Sequence, residues 1–359
     1  MFLRILLLWA SCFSLAAHAN PDSTTVAYTK PKNIILMIGD GMGLTQVSAA
    51  IVSTATPLAF ERFKHIGFIK TRSGNKLITD SAAGATAFAC GVKTYNGAIG
   101  VGLDTLPKET IMETAKKKGL STGLLVTCTI THATPACFYA HVKTRADDES
   151  IASDLLKADV DIFVGGGQPY FEQRKDGRNL MREFDKIGYT ITTSLDALIQ
   201  SDAKKLGMIY PDTNLPSMLK GRGDYLPKAV EPVISRLSDN KKGFFLMIEG
   251  SQIDWGGHAN NSDYIITEVL DFDKAIAKVL DFAEKDGNTL VVVTADHETG
   301  GYAIDAEDKN PNQLKGIFST GHHTGTLVPV YAFGPGAELF QGIYDNTDIY
   351  KKMMELMGW

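Results

Sequence analysis

The fold of this chain is decided by residues 33–43, which read NIILMIGDGMG. The apolar run at residues 33–38 is typical of a strand that is buried on both faces, and the glycines around Asp40 indicate a turn. A helical pattern follows at residues 44–53. A buried strand, a glycine turn and a helix in this order predict an α/β protein with a mostly parallel sheet.

The alternation of helix and strand continues along the chain. Helical patterns lie at residues 108–118, 147–158, 179–187 and 229–237, and strand patterns lie at residues 122–126, 160–165, 189–192, 243–248 and 290–294. We therefore expect a three-layer α/β/α sandwich around a mostly parallel sheet. Two polar, glycine-containing segments, residues 204–224 and 298–321, are predicted to be surface loops and not domain boundaries.

The first 19 residues have the pattern of a secretory signal peptide. One positive charge, Arg4, precedes an apolar stretch, and Ala17-His18-Ala19 forms a small-x-small cleavage site. We expect cleavage near Ala19 and a periplasmic or secreted protein. Residues 20–359 are predicted to form a single catalytic domain.

The charge of the mature chain excludes two classes of partner. Without Arg4 the chain has 35 basic and 41 acidic residues, a balance of −6, which gives no nucleic-acid-binding footprint and no attraction to an anionic membrane. No later stretch is apolar enough to be predicted as a membrane span. Three cysteines remain, Cys90, Cys128 and Cys137, too few for a disulfide framework, although one bridge stays open.

Asp80 and Ser81 precede a run of small helix-forming residues at positions 82–90. Asp80 and Ser81 favour the start of a helix, and the alanines behind them favour its continuation. A hydroxyl at a helix N-terminus lies where backbone N–H groups favour an anion or a developing alkoxide. Most such pairs are only helix caps, so the function of Ser81 depends on the residues that surround it.

Carboxylates and imidazoles recur downstream with the spacing of metal ligands. Asp40, Glu249 and Asp296 each follow a predicted strand, so we expect them to meet at the carboxyl edge of the sheet. Asp254 and His258 are separated by one helical turn and face the same side. The remaining histidines with polar neighbours are His132, His297, His322 and His323. Such ligands suit zinc in catalytic sites, and an all-oxygen set nearby suits magnesium.

Several motifs together resemble those of alkaline phosphatases. They are residues 33–43, DSA at 80–82, GVKTYNG at 91–97, TPA at 134–136, EGSQID at 249–254, TADH at 294–297 and HTG at 323–325. The resemblance covers almost the whole mature chain in family order. It implies a secreted, metal-dependent phosphomonoesterase that acts on small phosphate monoesters with two zinc ions and one magnesium ion.

The resemblance also implies a role for each site residue. One zinc would be bound by Asp254, His258 and His323. The second would be bound by Asp40, Asp296 and His297, with Ser81 as its fourth ligand and as the nucleophile that forms a phosphoserine. Magnesium would be bound by Asp40, Thr134 and Glu249. Arg145 matches the arginine that holds the phosphate through its planar fork of donors.

Two positions depart from a well-studied bacterial form of the family. This chain has His132 and Trp255 where that form has an aspartate and a lysine. The imidazole is a candidate ligand of the third metal, and Trp255 is a candidate lining residue of the substrate site. Loss of the lysine charge predicts weaker phosphate retention. Because only 24 residues separate His297 from His322, we expect a short crown loop near 298–321, and monomer and homodimer both stay open.

Three alternative functions fit the sequence less well. Sulfatases of the same scaffold need a proline and an arginine after the nucleophile, which residues 82–85 lack. Diesterase relatives use a threonine nucleophile and lack the magnesium ligands, whereas Thr134 and Glu249 are present. A phosphate- or metal-binding protein without turnover would have no need for the hydroxyl of Ser81.

Overall fold

The structure is a computed structural model that describes residues 28–307 and 310–359. The predicted signal peptide, residues 1–19, lies outside the described residues. Within the described part of the chain, none of the helices has the length and apolar character needed to cross a membrane.

The described residues form strands and helices in alternation. The strands are β1 Asn33–Gly39, β2 His65–Lys70, β3 Ser121–Thr129, β4 Ile162–Gly166, β5 Thr190–Thr192, β6 Leu206–Ile209, β7 Phe244–Gly250, β8 Thr289–Thr294, β9 Glu298–Thr299, β10 Tyr302–Glu307, β11 Asn310–Phe318, β12 His323–Thr324, β13 Val328–Phe333 and β14 Gly342–Asp345. The α-helices are α1 Leu44–Val52, α2 Ser81–Cys90, α3 Ile111–Lys118, α4 Ala133–Ala136, α5 Asp148–Ala158, α6 Gln168–Glu172, α7 Leu180–Lys186, α8 Leu195–Gln200, α9 Tyr225–Ser238, α10 Ile253–His258, α11 Ser262–Asp286 and α12 Thr347–Met357. Short 3₁₀ turns lie at Ala59–Arg62, Met218–Lys220 and Ala337–Phe340.

Ten of these strands form one sheet in the order β14-β2-β13-β8-β1-β7-β3-β4-β6-β5. Every pairing is parallel except those of β13, which runs opposite to β8 and β2. The prediction of an α/β fold with a mostly parallel sheet is confirmed.

The central strands are covered on both faces. All residues of β1, β7 and β8 are buried, which explains why their sequences are mostly apolar and do not alternate between apolar and polar residues. Helix α11 packs against these three strands, and α3 and α9 pack against β3 and β7. The carboxyl ends of β1, β7 and β8 therefore lie side by side at one edge of the buried sheet.

The two predicted surface loops are both more ordered than expected. Residues 204–224 contain β6, which lies inside the sheet between β4 and β5. Residues 298–321 contain an antiparallel hairpin of β10 and β11, and they contain β9, which pairs with β12 just beyond this segment. The strands in these two segments were not predicted, because glycine and charged residues there outnumber the apolar ones that define a strand.

Candidate active site

Ser81 is the first residue of α2, as the sequence predicts. The carboxylate of Asp80 caps this helix, with Oδ1 accepting from the N–H of Ala83 at 3.0 Å. The side chain of Ser81 is buried, and its Oγ lies 3.3 Å from Nε2 of His297. The hydroxyl therefore faces the downstream histidines and not the solvent.

Three carboxylates meet at the carboxyl edge of the sheet. Asp40 follows β1, Asp296 follows β8 and Glu249 lies near the end of β7, and β1 is paired with both neighbours. All three side chains are fully buried. The turn after β1 needs glycine at position 41, where φ is +67° and a Cβ would lie 2.8 Å from the Cα of Asp254.

Asp254, His258 and His323 form a first cluster. Nε2 of His258 lies 3.3 Å from Oδ2 of Asp254 and 3.2 Å from Nε2 of His323, which is 3.5 Å from Oδ1 of Asp254. The Nδ1 atoms of the two histidines bond to backbone carbonyls, that of His258 to Gly321 at 2.8 Å and that of His323 to Thr79 at 2.9 Å. These contacts orient both Nε2 atoms toward the aspartate.

Asp40, Asp296, His297 and Ser81 form a second cluster beside the first. Nε2 of His297 lies 3.4 Å from Oδ1 of Asp40 and 3.2 Å from Oδ2 of Asp296. The rings of His297 and His323 stack with their centroids 3.5 Å apart, so the two clusters are in direct contact.

A third group of polar atoms lies between β7 and the segment after β3. Thr134 and Glu249 are fully buried, and Oγ1 of Thr134 and Oε1 of Glu249 have no hydrogen-bond partner among the described residues. Hydrogen-bond partners among the described residues are likewise lacking for Nδ1 of His132, which directly precedes α4, and for both carboxylate oxygens of Asp40.

These buried polar atoms without partners fit metal ions. A buried carboxylate without a partner is costly unless a cation neutralises it. Burial and the neighbouring charge of Asp296 hold the pKa of Asp40 well above its usual range. Burial raises the pKa of Asp296 to about 8 and that of Glu249 to about 7. The donor set of carboxylates, imidazoles and hydroxyls matches the preferences of zinc and magnesium.

Arg145 lies at the entrance to these clusters. Its Nη1 is 3.2 Å from Oδ2 of Asp80, and its Nη2 is 3.2 Å from Nε2 of His132. Burial lowers the pKa of His132 to about 3, and the charge of Arg145 acts in the same direction, so the imidazole is neutral. The ring of Trp255 meets that of His132 edge-on, with centroids 6.4 Å apart, which places the tryptophan beside the same group.

The sequence analysis missed two residues that lie among these clusters. Oγ1 of Thr299 donates to Oδ1 of Asp254 at 2.5 Å and lies 3.1 Å from Nδ1 of His297, so one hydroxyl joins the first and second clusters. Cys128 lies with its Sγ 3.4 Å from Oε2 of Glu249. The position of Cys128 near the end of β3 was the available signal, because it shares that sheet edge with Glu249.

Other candidates lie outside the site. The side chain of His322 is exposed, and only His323 of the pair joins the first cluster. The described cysteines, Cys90, Cys128 and Cys137, are buried free thiols, so the disulfide that the sequence left open is not formed among them.

The chain is similar in sequence to known proteins of one family. The sequence model of the family described as "Alkaline phosphatase" matches residues 31–315. Alkaline phosphatase 3 of Bacillus subtilis is 35% identical, with 96% of this chain and 94% of that protein covered. The alkaline phosphatase of Escherichia coli is 33% identical, with 91% and 86% covered.

A solved structure extends the likeness to three dimensions. The alkaline phosphatase of the Antarctic bacterium TAB5 superposes with a TM-score of 0.90 at 45% identity, covering 93% of this chain and 99% of that one. In variants of the Antarctic enzyme with one histidine replaced by aspartate or glutamate, Mg is bound in the M3 site. From the family match, these identities and the shared fold, this chain belongs to the alkaline phosphatase family and is a phosphomonoester hydrolase.

Proposed function

We propose that this enzyme hydrolyses phosphate monoesters through a covalent phosphoserine on Ser81, with two zinc ions, one magnesium ion and an alkaline pH optimum. The observation that carries the proposal is the 3.3 Å approach of Ser81 Oγ to Nε2 of His297, where two clusters of candidate ligands meet at a helix N-terminus. A serine alone is a weak nucleophile and needs such surroundings.

The ligands of each ion follow from the three groups. Asp254, His258 and His323 would hold the first zinc. Asp40, Asp296 and His297 would hold the second, with Ser81 as the fourth ligand. Asp40, Thr134 and Glu249 would hold magnesium, which is supported by the Mg bound in the M3 site of the Antarctic variants. When bound, these cations supply positive charge that favours loss of the Ser81 proton and stabilises the departing ester oxygen.

The residues of the chain then perform two displacements at phosphorus. Ser81 gives its hydroxyl proton to solvent, and its Oγ attacks the phosphorus atom in line with the ester oxygen. The Oγ–P bond forms as the ester bond breaks, and the alcohol leaves with a proton from water. Water then attacks the phosphoserine from the vacated side, which releases inorganic phosphate and restores the hydroxyl of Ser81. Two inversions give net retention of configuration at phosphorus.

Arg145 and the start of α2 bind the charge of the phosphoryl group. The guanidinium presents parallel N–H donors that match two phosphate oxygens, and the free N–H groups of the first helical turn favour a nearby anion. Because a site centred on phosphate makes few contacts with the alcohol, we propose broad specificity for monoesters.

We attribute the alkaline optimum to competition between protons and metal ions for the same ligand atoms. Imidazole ligands bind metals only when they are unprotonated, and the second displacement needs an ionised water molecule. Both requirements are met more fully as the pH rises above neutrality.

The experiment that tests this proposal combines metal analysis with one substitution. The purified wild-type enzyme and Ser81→Ala are compared by elemental analysis and by hydrolysis of an aryl phosphate at alkaline pH. We expect bound zinc and magnesium in both proteins and a loss of activity of at least about 10³-fold in the variant, comparable to removal of other catalytic nucleophiles. Activity of Ser81→Ala within tenfold of wild type would overturn the phosphoserine.

Export through the predicted signal peptide is part of the proposal. It rests on the sequence pattern of residues 1–19 alone. N-terminal sequencing of enzyme recovered outside the cytoplasm is expected to begin near Asn20, and an intact N-terminus there would contradict cleavage.

A further inference from the structure

The thiol of Cys128 lies beside the third group of polar atoms. Its Sγ lies 3.4 Å from Oε2 of Glu249. One ligand atom from each of Cys128, His132 and Glu249 lies within 4.8 Å of the others. The cysteine and the glutamate are fully buried, so neither has access to bulk water.

Two atoms of this set have no other role in the fold. Nδ1 of His132 and Oε1 of Glu249 are buried without hydrogen-bond partners among the described residues. The thiol of Cys128 donates weakly, to Thr129 O at 3.2 Å and to Glu249. An imidazole nitrogen and a carboxylate oxygen left unpaired beside a thiol are costly unless a cation binds them.

The chemistry of this set differs from that of the magnesium set. Asp40, Thr134 and Glu249 offer only oxygen, which suits Mg²⁺. Thiolate and imidazole select Zn²⁺ and similar borderline or soft ions, and three protein ligands with one open position are usual for catalytic zinc. The two sets share Glu249, so they cannot both be satisfied at once.

We infer that the third metal position of this enzyme is a mixed site, in which Cys128, His132 and Glu249 bind a zinc-like divalent cation in competition with Mg²⁺. As the cation binds, the thiol of Cys128 loses its proton, which leaves to solvent, and the sulfur bonds to the cation with no change of oxidation state. Neutral His132 then carries its proton on Nε2 and binds through Nδ1, so Nε2 no longer accepts from Arg145. The inference rests on the proposed function only in that Glu249 is also a magnesium ligand there.

Cobalt(II) is the probe that tests the thiolate directly. The chelator-treated full-length enzyme is titrated with Co²⁺ without oxygen, and a near-ultraviolet band from thiolate-to-cobalt charge transfer is followed together with the number of bound ions. We expect the band to appear with one of three bound cobalt ions. Zn²⁺ should remove it at stoichiometric amounts, and Mg²⁺ only at a large excess.

Three variants separate the possible sources of the band. Cys128→Ser and Cys128→Ala should both lose the charge-transfer band. The affinity of the third position for cobalt should fall at least about 10-fold, because removal of a residue that only supports a ligand already costs that much. Cys90→Ala is the matched control, because Cys90 is also a buried free thiol but lies at the far end of α2, and it should keep the full band. Two Cys128 variants guard against one that fails to fold, which circular dichroism would reveal.

The outcomes also distinguish this inference from the proposed function. A wild-type enzyme that binds three cobalt ions without the band, or a band that persists in both Cys128 variants, would overturn the mixed site and leave the phosphatase mechanism intact. Absence of phosphomonoesterase activity in a wild-type enzyme that shows the band would overturn the proposed function and leave the site standing.

Discussion

The carboxylate of Asp80 and the guanidinium of Arg145 lie 3.2 Å apart, next to Ser81, the proposed nucleophile. The same carboxylate caps α2 through Oδ1 and accepts from the N–H of Gly97 through Oδ2 at 2.9 Å. One residue therefore fixes both the start of the helix that carries Ser81 and the arginine proposed to bind phosphate.

Asp80→Asn should detach Arg145 without removing the helix cap. Asparagine caps helices as well as aspartate, but its amide group would face the donors of Arg145 and Gly97. Because an unrestrained arginine must be ordered again on each binding event, we expect the inhibition constant for phosphate to rise about 3–10-fold, or about 1 kcal/mol. Steady-state kinetics at several phosphate concentrations measure this inhibition constant. Asp147→Asn, the same change at the cap of α5, is the control and should leave inhibition unchanged; an equal effect in both variants would contradict the role of Asp80.

Arg145→Ala should lower kcat/KM for an aryl phosphate by about 10²-fold. The variant loses two charge-assisted hydrogen bonds to the phosphate, worth about 1.5–3 kcal/mol each, and water replaces them only in part. Arg145→Lys should recover part of this loss, since a lysine keeps the charge but not the planar fork. Steady-state kinetics provide the measurement. Arg178→Ala removes a surface arginine that is paired with Glu183 and should have no effect on kcat/KM. Equal activity of Arg145→Ala and wild type would exclude phosphate binding by Arg145.

Trp255→Lys should strengthen product inhibition by phosphate. The tryptophan is half-buried beside His132, so a lysine there adds a positive charge next to the third group of ligands. We expect the inhibition constant to fall about 3–10-fold, the effect of one further charge in a partly shielded site. Trp255→Met removes the ring without adding charge and should not tighten phosphate binding. Unchanged inhibition in Trp255→Lys would count against the charge as the cause.

Glu113→Gln should destabilise the fold in a limited pH range. Nε2 of His141 lies 3.0 Å from Oε1 of Glu113, and this hydrogen bond raises the pKa of the histidine. Burial opposes ionisation of Glu113, but the bonds from His141 and from the N–H of Thr110 hold its pKa below the usual value.

The sign of the pH effect follows from the two shifts. The contribution of His141 is complete below its unfolded pKa near 6.5 and is lost as the pH rises through the raised value. That of Glu113 is complete above its unfolded pKa near 4.5 and is lost as the pH falls through the lowered value. We therefore expect a loss of about 0.5–1 kcal/mol that is largest between these two values.

Urea denaturation of the metal-loaded enzyme over this pH range measures the effect of Glu113→Gln. Glutamine still bonds to the N–H of Thr110, so the helix cap of α3 is retained and only the charge is tested. A difference from wild type that does not diminish as the pH rises above 6.5 into the alkaline range would contradict the assignment to His141.

Much of the fold was readable from local pattern. Strands β1, β7 and β8 are buried on both faces, and continuous apolar runs define them without reference to the rest of the chain. Strand β6 was missed because it is four residues long, contains Gly207 and lies in a polar segment. Its place in the sheet depends on pairing with β4 and β5, which no local pattern encodes.

The residues of the candidate site that lie at strand ends could be predicted from the sequence. Those whose place depends on the direction of a side chain could not. Asp40, Glu249 and Asp296 meet because the strands that carry them are neighbours, as parallel sheets require. Thr299 and Cys128 were missed because their spacing along the chain does not match a ligand motif. Only the packed structure shows that both side chains point among the clusters.

The stacked rings of His297 and His323 join the end of β8 to β12, and Asp40 reaches the same point from β1, almost 300 residues before His323. Contacts of such long sequence separation form late, after the loop between them has lost its freedom. A chain emerging from synthesis therefore has no complete set of these candidate metal ligands until nearly all of it has been made and folded. Binding of metal ions therefore reports the completion of folding. Chains that end before β12 are expected to bind fewer metal ions and to be inactive.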